Sequence, residues 1–308
     1  MVRLVADVGG TNTRIALSDA GRIITGSLES YRNEQWSSLY DVMETYLDAR
    51  SKIAPAEMVL AIAGPVDGDH AALTNRIAWQ VSAPDMRRRF GAARVAFLND
   101  LTALGYAVPH LRPHQVREIS AGAPKQTGLA QSLVVGIGTG FNTSPVLERG
   151  GLVMCPAVEA GHVGLPPRVS AELELWGVSS RVFATVEHLF SGRGFTQFCR
   201  AYSGDETAQA KDAATISGQT EATRHTPAVE QYSKLLGWLL RELMLSYLPA
   251  SGIYLAGSVA RAIGTAAPGP CLEVLHRPAP VALPAPPPVR VIEDDSAALL
   301  GCVGYATV

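Results

Sequence analysis

Three glycine-rich turns stand out in this sequence of 308 residues because each of them follows an apolar run. They read G-G-T-N at 9–12, G-T-G at 138–140 and A-G-S at 256–258. Small residues at the end of a strand let backbone N–H groups approach an anion closely, which makes a nest for phosphate oxygens. A single turn of this kind is more often only a tight turn. Three of them, each after an apolar strand, favour a phosphate-binding function.

Asp7 lies two residues before Gly9, at the end of the first predicted strand. A carboxylate beside a phosphate nest is suited to hold Mg²⁺, directly or through water. A structural aspartate at the entry of a turn is the alternative. The sequence has neither G-x-x-x-x-G-K-[ST] nor a G-x-G-x-x-G that opens a helix. Any nucleotide is therefore expected on a scaffold other than the P-loop or Rossmann types.

The elements that must position these turns alternate between strands and helices. Short apolar runs predict buried strands at 2–8, 58–63, 94–98, 132–137 and 252–256. Helical patterns lie at 34–50, 179–189, 195–202, 229–248 and, with an acidic N-cap, 294–301. Ligands in open α/β sheets bind at the carboxyl ends of strands. Because 308 residues are long for one hydrophobic core, two α/β lobes are expected.

The composition is that of a soluble enzyme with balanced charge. The 26 basic residues nearly balance the 28 acidic ones, so the charge pattern predicts no nucleic-acid partner and no membrane surface. No charge-free apolar stretch reaches the length of a bilayer crossing. The four cysteines are far apart, which predicts buried thiols, and the chain opens directly into a strand. We therefore expect a cytoplasmic protein.

Nine sequence blocks follow one another in a recognisable order. They are L-V-A-D-V-G-G-T-N-T-R-I-A-L at 4–17, A-I-A-G-P-V-D-G-D at 61–69, T-N at 74–75, F-L-N-D-L-T-A at 97–103, G-I-G-T-G at 136–140, E-A-G-H-V at 159–163, E-H-L-F-S-G-R-G at 187–194, Y-L-A-G-S-V at 254–259 and A-A-L-L-G at 297–301. The set resembles the bacterial hexokinase-type glucokinases of the actin-like ATPase superfamily. Single blocks are weak, but the ordered set covers nearly the whole chain.

This resemblance implies an α/β, two-lobed actin-like ATPase (ribonuclease H-like) fold with the active site in the cleft between the lobes. The small lobe is expected at 1–105 plus 292–308 and the large lobe at 106–291. ATP and Mg²⁺ are expected at the glycine turns and their neighbours, with Asp7 holding the metal directly or through water. The expected nucleotide-binding residues are Asp7, Gly9, Gly10, Thr11, Asn12, Arg14, Gly138, Thr139, Gly140, Gly257 and Ser258.

Position by position, the resemblance puts Asn99 and Asp100 at the sugar, with Asp100 as the catalytic carboxylate. An alcohol is a poor nucleophile at neutral pH, and a carboxylate in hydrogen-bond reach accepts its proton as the phosphoryl group transfers. Most of the rate enhancement is expected from positioning and charge neutralisation at the γ-phosphate. The alternative interpretation is a helix N-cap ahead of residues 101–104, and both roles are compatible.

The other sugar contacts that the resemblance implies are Asn75, Glu159, His162 and Glu187. Carboxylates and an imidazole suit neighbouring hydroxyls of a pyranose, and each bond adds selectivity because an unpaired buried partner is costly. Glutamate and histidine at this spacing also suit a metal, but no second histidine or cysteine nearby completes a ligand set.

The chain departs from the family pattern at three positions, where Asn142, Ala160 and Ser258 replace glycine. Asparagine tolerates positive φ better than other non-glycine residues, so the turn at Asn142 is expected to persist. The Cβ of Ser258 would narrow the adenine site, or its hydroxyl would donate a new hydrogen bond. The methyl group of Ala160 would restrict the substituent at C2 of the sugar.

The hypothesis that follows is ATP-dependent phosphorylation of D-glucose to glucose 6-phosphate, an early step of glycolysis. Kinases for another hexose or an amino sugar, such as mannose or N-acetylglucosamine, are the alternatives within the class. A non-catalytic sugar-sensing regulator would need a DNA-binding or partner module, and the basic excess expected for DNA binding is absent. A filament-forming ATPase would leave the sugar contacts without a purpose. Since relatives are often dimers, a homodimer is the expected assembly.

Overall fold

The computed structural model describes residues 1–51, 53–74, 76–122, 130–204, 226–278 and 286–306, and only the backbone of 76–78. The chain divides into two compact units, Met1–Arg112 with Asp294–Val308, and Pro113–Glu293. The first unit extends beyond the boundary predicted at residue 105 because the 3₁₀ turn Val108–His110 packs against the C-terminal helix. Among the described residues, no helix is long and apolar enough to span a membrane.

The first unit is built on a six-stranded sheet. Its strands are β1 (Arg3–Val8), β2 (Asn12–Asp19), β3 (Arg22–Ile23), β4 (Glu29–Arg32), β5 (Glu57–Ile62) and β9 (Arg94–Asn99). The spatial order is β3-β2-β1-β5-β9, and β4 also pairs with β2. The strand β2 is antiparallel to β1, whereas β5 and β9 continue the sheet in parallel. Burial on both faces explains the near-continuous apolar sequences of β1 and β5.

A smaller sheet and four helices complete this unit. The sheet contains β6 (Val66–Asp67), β7 (His70–Leu73) and β8 (Arg76–Ser82). The helices are α1 (Leu39–Asp48), α2 (Ala83–Phe90), α3 (Asp100–Ala107) and the C-terminal α10 (Ala297–Gly304). The helices α3 and α10 pack closely, since a Cβ on Gly301 would lie 1.7 Å from the carbonyl oxygen of Ala103. A glycine is therefore required where the two helix backbones meet.

The second unit carries another six-stranded sheet. Its strands are β10 (Val116–Ser120), β11 (Ala130–Ile137), β12 (Phe141–Arg149), β13 (Leu152–Met154), β14 (Gly252–Ala256) and β15 (Val289–Ile292). The spatial order is β10-β15-β14-β11-β12-β13. In the described residues of this unit the helices are α4 (Pro167–Leu175), α5 (Val186–Leu189), α6 (Gly192–Ser203), α7 (Pro227–Tyr247), α8 (Ser258–Ala266) and α9 (Pro268–Leu275). The core lies where α7 and the neighbouring helices cover the sheet.

The two sheets share one pattern of pairing. In each, a central strand (β1 or β11) has an antiparallel neighbour on one side and two successive parallel strands on the other. In each, the central strand also ends in one of the predicted glycine turns, and the chain then returns as the antiparallel neighbour. The repeated pattern places both turns at the carboxyl end of a central strand, where ligands of open α/β sheets bind.

Two of the predicted helices differ from the structure. The helix expected over 34–50 begins only at Leu39, because Ser38 caps it by accepting a hydrogen bond from the Asp41 N–H and Trp36 packs edge-on against Tyr31. The stretch 179–189, predicted as one helix, is a 3₁₀ turn at Ser180–Val182 followed by α5. In both places the apolar spacing of a helix occurs in residues that pack as a turn.

The acidic N-cap predicted for the C-terminal helix is also wrong in detail. The helix α10 follows Ser296 as its N-cap, and that cap makes no side-chain hydrogen bond to the helix. Asp294 instead accepts hydrogen bonds from the backbone N–H and the hydroxyl of Ser296. The carboxylate therefore stabilises the turn that leads into the helix.

Candidate active site

The first glycine turn joins β1 to β2 and is held by a buried asparagine. The Gly9 N–H donates to the Asn12 carbonyl over 3.0 Å, which closes the turn. Asn33, fully buried, donates from Nδ2 to the Gly9 carbonyl over 2.7 Å and from its backbone N–H to the Thr11 carbonyl over 2.9 Å. Its Oδ1 accepts from the Thr13 hydroxyl at 2.8 Å. Asn33 therefore holds both ends of the turn, a role that sequence reasoning missed.

Asp7 is the penultimate residue of β1, just before the first glycine turn, and it is buried. Burial raises the pKa of the Asp7 carboxyl to about 6, although the nearby Arg14 guanidinium opposes this shift. The charges of Asp100 and Asp295 raise the pKa further. Arg14 lies 3.4 Å from the Asp7 carboxylate and 4.0 Å from that of Asp295. The structure thus brings the predicted Asp7 and Arg14 together, with Asp100 close enough to act on Asp7 electrostatically.

The chemistry at Asp7 fits a magnesium ion that is shared with phosphates. Mg²⁺ keeps several waters and uses one or two carboxylates plus phosphate oxygens, without a cage of protein ligands. Within the described parts of the chain, no three acidic, histidine or cysteine side chains come together as such a cage. A single buried carboxylate with a raised pKa, beside a glycine turn, suits the shared arrangement because cation binding would relieve the cost of its charge.

Asn99 and Asp100 lie where β9 ends and α3 begins. Asn99 is the N-cap, and its Oδ1 accepts from the Leu101 N–H over 3.0 Å while its Nδ2 donates to the Gly64 carbonyl over 3.3 Å. The Asp100 carboxylate accepts from the same Leu101 N–H over 2.8 Å. Burial raises the pKa of Asp100, and that backbone hydrogen bond opposes the shift. The predicted N-cap is present, and burial makes the Asp100 carboxylate beside it more basic than an ordinary aspartate.

The other two glycine turns lie together in the second unit. A Cβ on Gly138 would lie 3.9 Å from the Gly257 Cα and from the Ser258 nitrogen. Gly257 has φ +93°, and a Cβ there would lie 2.4 Å from the Ile137 carbonyl oxygen. The N–H of Gly192, the first residue of α6, donates to the Gly138 carbonyl over 2.7 Å. Two turns and a helix N-terminus therefore come together, and at Gly257 the close approach of the Ile137 carbonyl and the positive φ require a glycine.

Glu187 links the turn at 138–140 to the loop at 159–162. Its Oε2 accepts from the Phe141 N–H over 3.0 Å, and a Cβ on Gly140 would lie 2.6 Å from this oxygen. A Cβ on Gly161 would lie 2.2 Å from the Phe141 carbonyl oxygen and 3.4 Å from the Glu187 Cβ. The side chain of Arg193 lies 3.8 Å from Glu187. The Phe141 N–H therefore holds the Glu187 carboxylate beside the turn at 138–140, and the missing side chain of Gly140 leaves room for it.

Glu159 precedes the 3₁₀ turn Ala160–His162, His162 ends it, and both side chains are exposed. Asn142 contacts this loop, since its Nδ2 lies 3.2 Å from Glu159 Oε2. The structure thus gathers Glu159, His162 and Glu187 around one short stretch of chain. The predicted sugar contact Asn75 lies outside the described residues.

The structure shows the local conformation at the three positions where the chain departs from the family pattern. Asn142 does not take the positive φ that was expected, because it pairs with Gly136 as an extended residue of β12. Ala160 is buried, and its N–H donates to Asn142 Oδ1 over 2.9 Å. Ser258 is the exposed first residue of α8 and follows the positive-φ Gly257.

Two sheets with the same pairing pattern, each with a glycine turn after its central strand, are the architecture of the actin-like ATPase fold. Residues 4–307 match the model of the glucokinase family, and the chain belongs to that family. The predicted fold class and family are therefore confirmed.

Individual relatives agree with this assignment. A glucokinase of Chromobacterium violaceum is 31% identical over 264 residues, which are 83% of this chain and 75% of the relative. The crystal structure of a glucokinase from an Antarctic psychrotroph has a TM-score of 0.79 at 25% identity and covers 98% of both chains. A ROK family glucokinase from Streptomyces griseus, in complex with glucose and AMPPNP, has a TM-score of 0.61 at 19% identity and also covers 98% of both.

Proposed function

We propose that this protein catalyses ATP-dependent phosphorylation of D-glucose at its 6-hydroxyl, with Asp100 as the general base. The family match over residues 4–307 supports the activity. The observation that carries the assignment of the base is the position of Asp100 at the carboxyl end of β9, where burial raises its pKa. A general base works best when its pKa approaches the operating pH.

In the proposed reaction the hydroxyl proton of the sugar passes to the Asp100 carboxylate as the hydroxyl oxygen bonds to the γ-phosphorus. The bond from that phosphorus to the bridging oxygen breaks, and ADP leaves. The hydrogen bond from the Leu101 N–H fixes one Asp100 oxygen and leaves the other for the proton. Asn99, held by Gly64 and Leu101, is proposed to bind the sugar beside it.

The glycine turns are proposed as nucleotide-binding elements. In the first unit, Gly9, Gly10, Thr11 and Asn12 form the turn that Asn33 holds, with Arg14 and Asp7 beside it. In the second unit, Gly138, Thr139 and Gly140 lie with Gly257 and Ser258. Backbone N–H groups in such turns bind phosphate oxygens and orient the γ-phosphate. Asp7 would hold Mg²⁺, which neutralises charge on the phosphates when it is bound.

Glu159, His162 and Glu187 are proposed to bind sugar hydroxyls, together with Asn75. Carboxylate oxygens accept from hydroxyls, and the Glu187 carboxylate is already held by the Phe141 N–H. A ring whose hydroxyls match these acceptors gains selectivity, because a sugar that lacks one leaves a polar group unpaired.

An assay of ADP release with glucose, mannose, fructose, N-acetylglucosamine and no sugar tests the proposal. The expected result is turnover with glucose at the highest kcat/KM and only slow ATP hydrolysis without sugar. Turnover with another hexose at a higher kcat/KM would reassign the substrate. No turnover with any of the sugars would overturn the proposed activity. The cytoplasmic location, the homodimer, and the absence of nucleic-acid and membrane partners stay predictions.

A further inference from the structure

Asn142 makes a set of hydrogen bonds that uses the whole capacity of its side-chain amide. Its Nδ2 donates to the Val158 carbonyl over 2.7 Å and to Glu159 Oε2 over 3.2 Å. Its Oδ1 accepts from the backbone N–H of Thr143 at 2.8 Å and of Ala160 at 2.9 Å. An amide has two donors and two acceptor lone pairs, so each of them has a partner here.

These bonds attach the loop around Glu159 to the strand β12. The residues before and after Glu159 are each held through the backbone, and one oxygen of the Glu159 carboxylate is held as well. Asn142 itself cannot move freely, because it is paired with Gly136 across the sheet. The loop and the carboxylate thus take their position from the rigid strand.

This arrangement matters because Glu159 is an exposed, long side chain. An unrestrained glutamate loses rotamer entropy when a ligand orders it, and this loss makes the free energy of binding less favourable. The Asn142 Nδ2 donates to Glu159 Oε2 and leaves Glu159 Oε1 as a free acceptor whose orientation is fixed. A sugar hydroxyl that donates to Oε1 then binds a carboxylate that is ordered before the sugar arrives.

We propose that Asn142 is a positioning residue that sets the affinity and selectivity for the sugar by holding the Glu159 carboxylate. This inference rests on the proposed function, in which Glu159 binds a hydroxyl of the substrate. The inference names Asn142 as the residue that orients the Glu159 contact. It also predicts that the protein selects sugars whose hydroxyl donates to Glu159 over deoxy sugars that lack this hydroxyl.

The substitution Asn142→Asp separates the two kinds of hydrogen bond. Aspartate has the same shape and keeps Oδ1 as an acceptor for the Ala160 N–H, but it cannot donate when ionised and brings a second negative charge to Glu159. The variant is expected to raise the KM for glucose by about tenfold while changing the KM for ATP by less than about twofold, because only the sugar contact depends on the held carboxylate. Asn142→Ala, which removes the amide without adding a charge, is the second variant and is expected to act in the same direction.

A double-mutant comparison distinguishes positioning from a merely structural role. If Asn142 acts through Glu159, Asn142→Asp raises the KM for glucose about tenfold in the wild-type background and less than about twofold in a Glu159→Ala background. The matched control is Arg149→Ala, at the far end of the same strand, which is expected to leave both KM values unchanged.

The outcomes separate this inference from the proposed function. A wild-type protein without glucose turnover would contradict the proposed function itself. A wild-type protein with glucose turnover, whose Asn142 variants are folded and keep the wild-type KM for glucose, would overturn the positioning role. Equal effects of Asn142→Asp with and without Glu159 would overturn it too, since a structural defect acts independently of the carboxylate. Loss of discrimination between glucose and one of its monodeoxy analogues in Asn142→Ala is the expected supporting result.

Discussion

The side-chain amide of Asn33 donates a hydrogen bond to the backbone carbonyl of Gly9 over 2.7 Å, although 24 residues separate the two along the chain. The same residue holds the Thr11 carbonyl through its backbone N–H. The first glycine turn is therefore fixed from outside by one fully buried asparagine. Pre-organised backbone N–H groups bind phosphate without the cost of ordering the turn.

We predict that Asn33→Ala raises the KM for ATP by about tenfold and leaves the KM for glucose within about twofold, because the first turn is freed while the sugar contacts are untouched. The free energy of unfolding should fall by about 1–3 kcal/mol, since the Thr13 hydroxyl loses its buried acceptor. Steady-state kinetics and denaturant unfolding measure the two effects. Thr13→Val removes only the hydrogen bond to Asn33 Oδ1 and is the matched control, with a smaller effect on ATP. A folded Asn33→Ala protein with a wild-type KM for ATP would contradict the role.

Sequence patterns predicted the glycine turns and Asp100, but not the asparagine that holds the first turn. Asp100 follows an apolar run and precedes a helix, so both its strand-end position and its N-cap neighbourhood are local features. Asn33 acts across the pairing of β2 with β4, which aligns Asn12 with Arg32, and nothing near it in sequence indicates that contact. Long-range pairing of this kind leaves no periodic pattern.

Asn142 shows a second limit of local reasoning. The comparison with glycine in the family pattern predicted a turn residue with positive φ, but the pairing of β11 with β12 continues through Asn142 to Phe141. Its side chain, rather than its backbone, is what reaches the loop at Glu159. Likewise, the apolar spacing that extended a helix back to residue 34 belongs partly to Trp36, which packs on Tyr31.

Gly140→Ala should displace the Glu187 carboxylate, because the new Cβ would lie 2.6 Å from Oε2. The end of a flexible side chain can move, so the protein is expected to fold. The KM for glucose should rise by about tenfold, since Glu187 would lose its hydrogen bond from the Phe141 N–H and its direction toward the sugar. Gly164→Ala, where a Cβ meets no atom within 4 Å, is the matched control. An unchanged KM for glucose in a folded Gly140→Ala protein would argue against Glu187 as a sugar contact.

Asp7 is predicted to destabilise the fold above its pKa. Its pKa of about 6 lies above the ordinary 3.8, so between these values the folded state binds more protons than the unfolded state. The free energy of unfolding therefore falls as the pH rises through this window, by on the order of 3 kcal/mol in total. Asp7→Asn removes the titration and should raise the unfolding temperature at pH 7.5, but not at pH 4.

Thermal unfolding of the wild-type and Asp7→Asn proteins at the two pH values measures this effect, without nucleotide or divalent cation. Asp67→Asn, a change of the same kind at an exposed position, is the control and should have no such effect. Wild-type and Asp7→Asn proteins with the same unfolding temperature at pH 7.5 would contradict the buried, costly charge. With the metal-binding role proposed above, Asp7→Asn should also lose most of the phosphotransfer activity.

The kinetics of Asp100→Asn test the central claim most directly. Asparagine keeps the shape of the side chain and an oxygen to accept from the Leu101 N–H, but it cannot take the sugar proton. We predict that kcat for glucose falls by about 10²–10⁴, which is the usual contribution of a general base, while binding of the nucleotide stays within about threefold. An Asp100→Asn protein that phosphorylates glucose at the wild-type rate would contradict the assignment of Asp100 as the base.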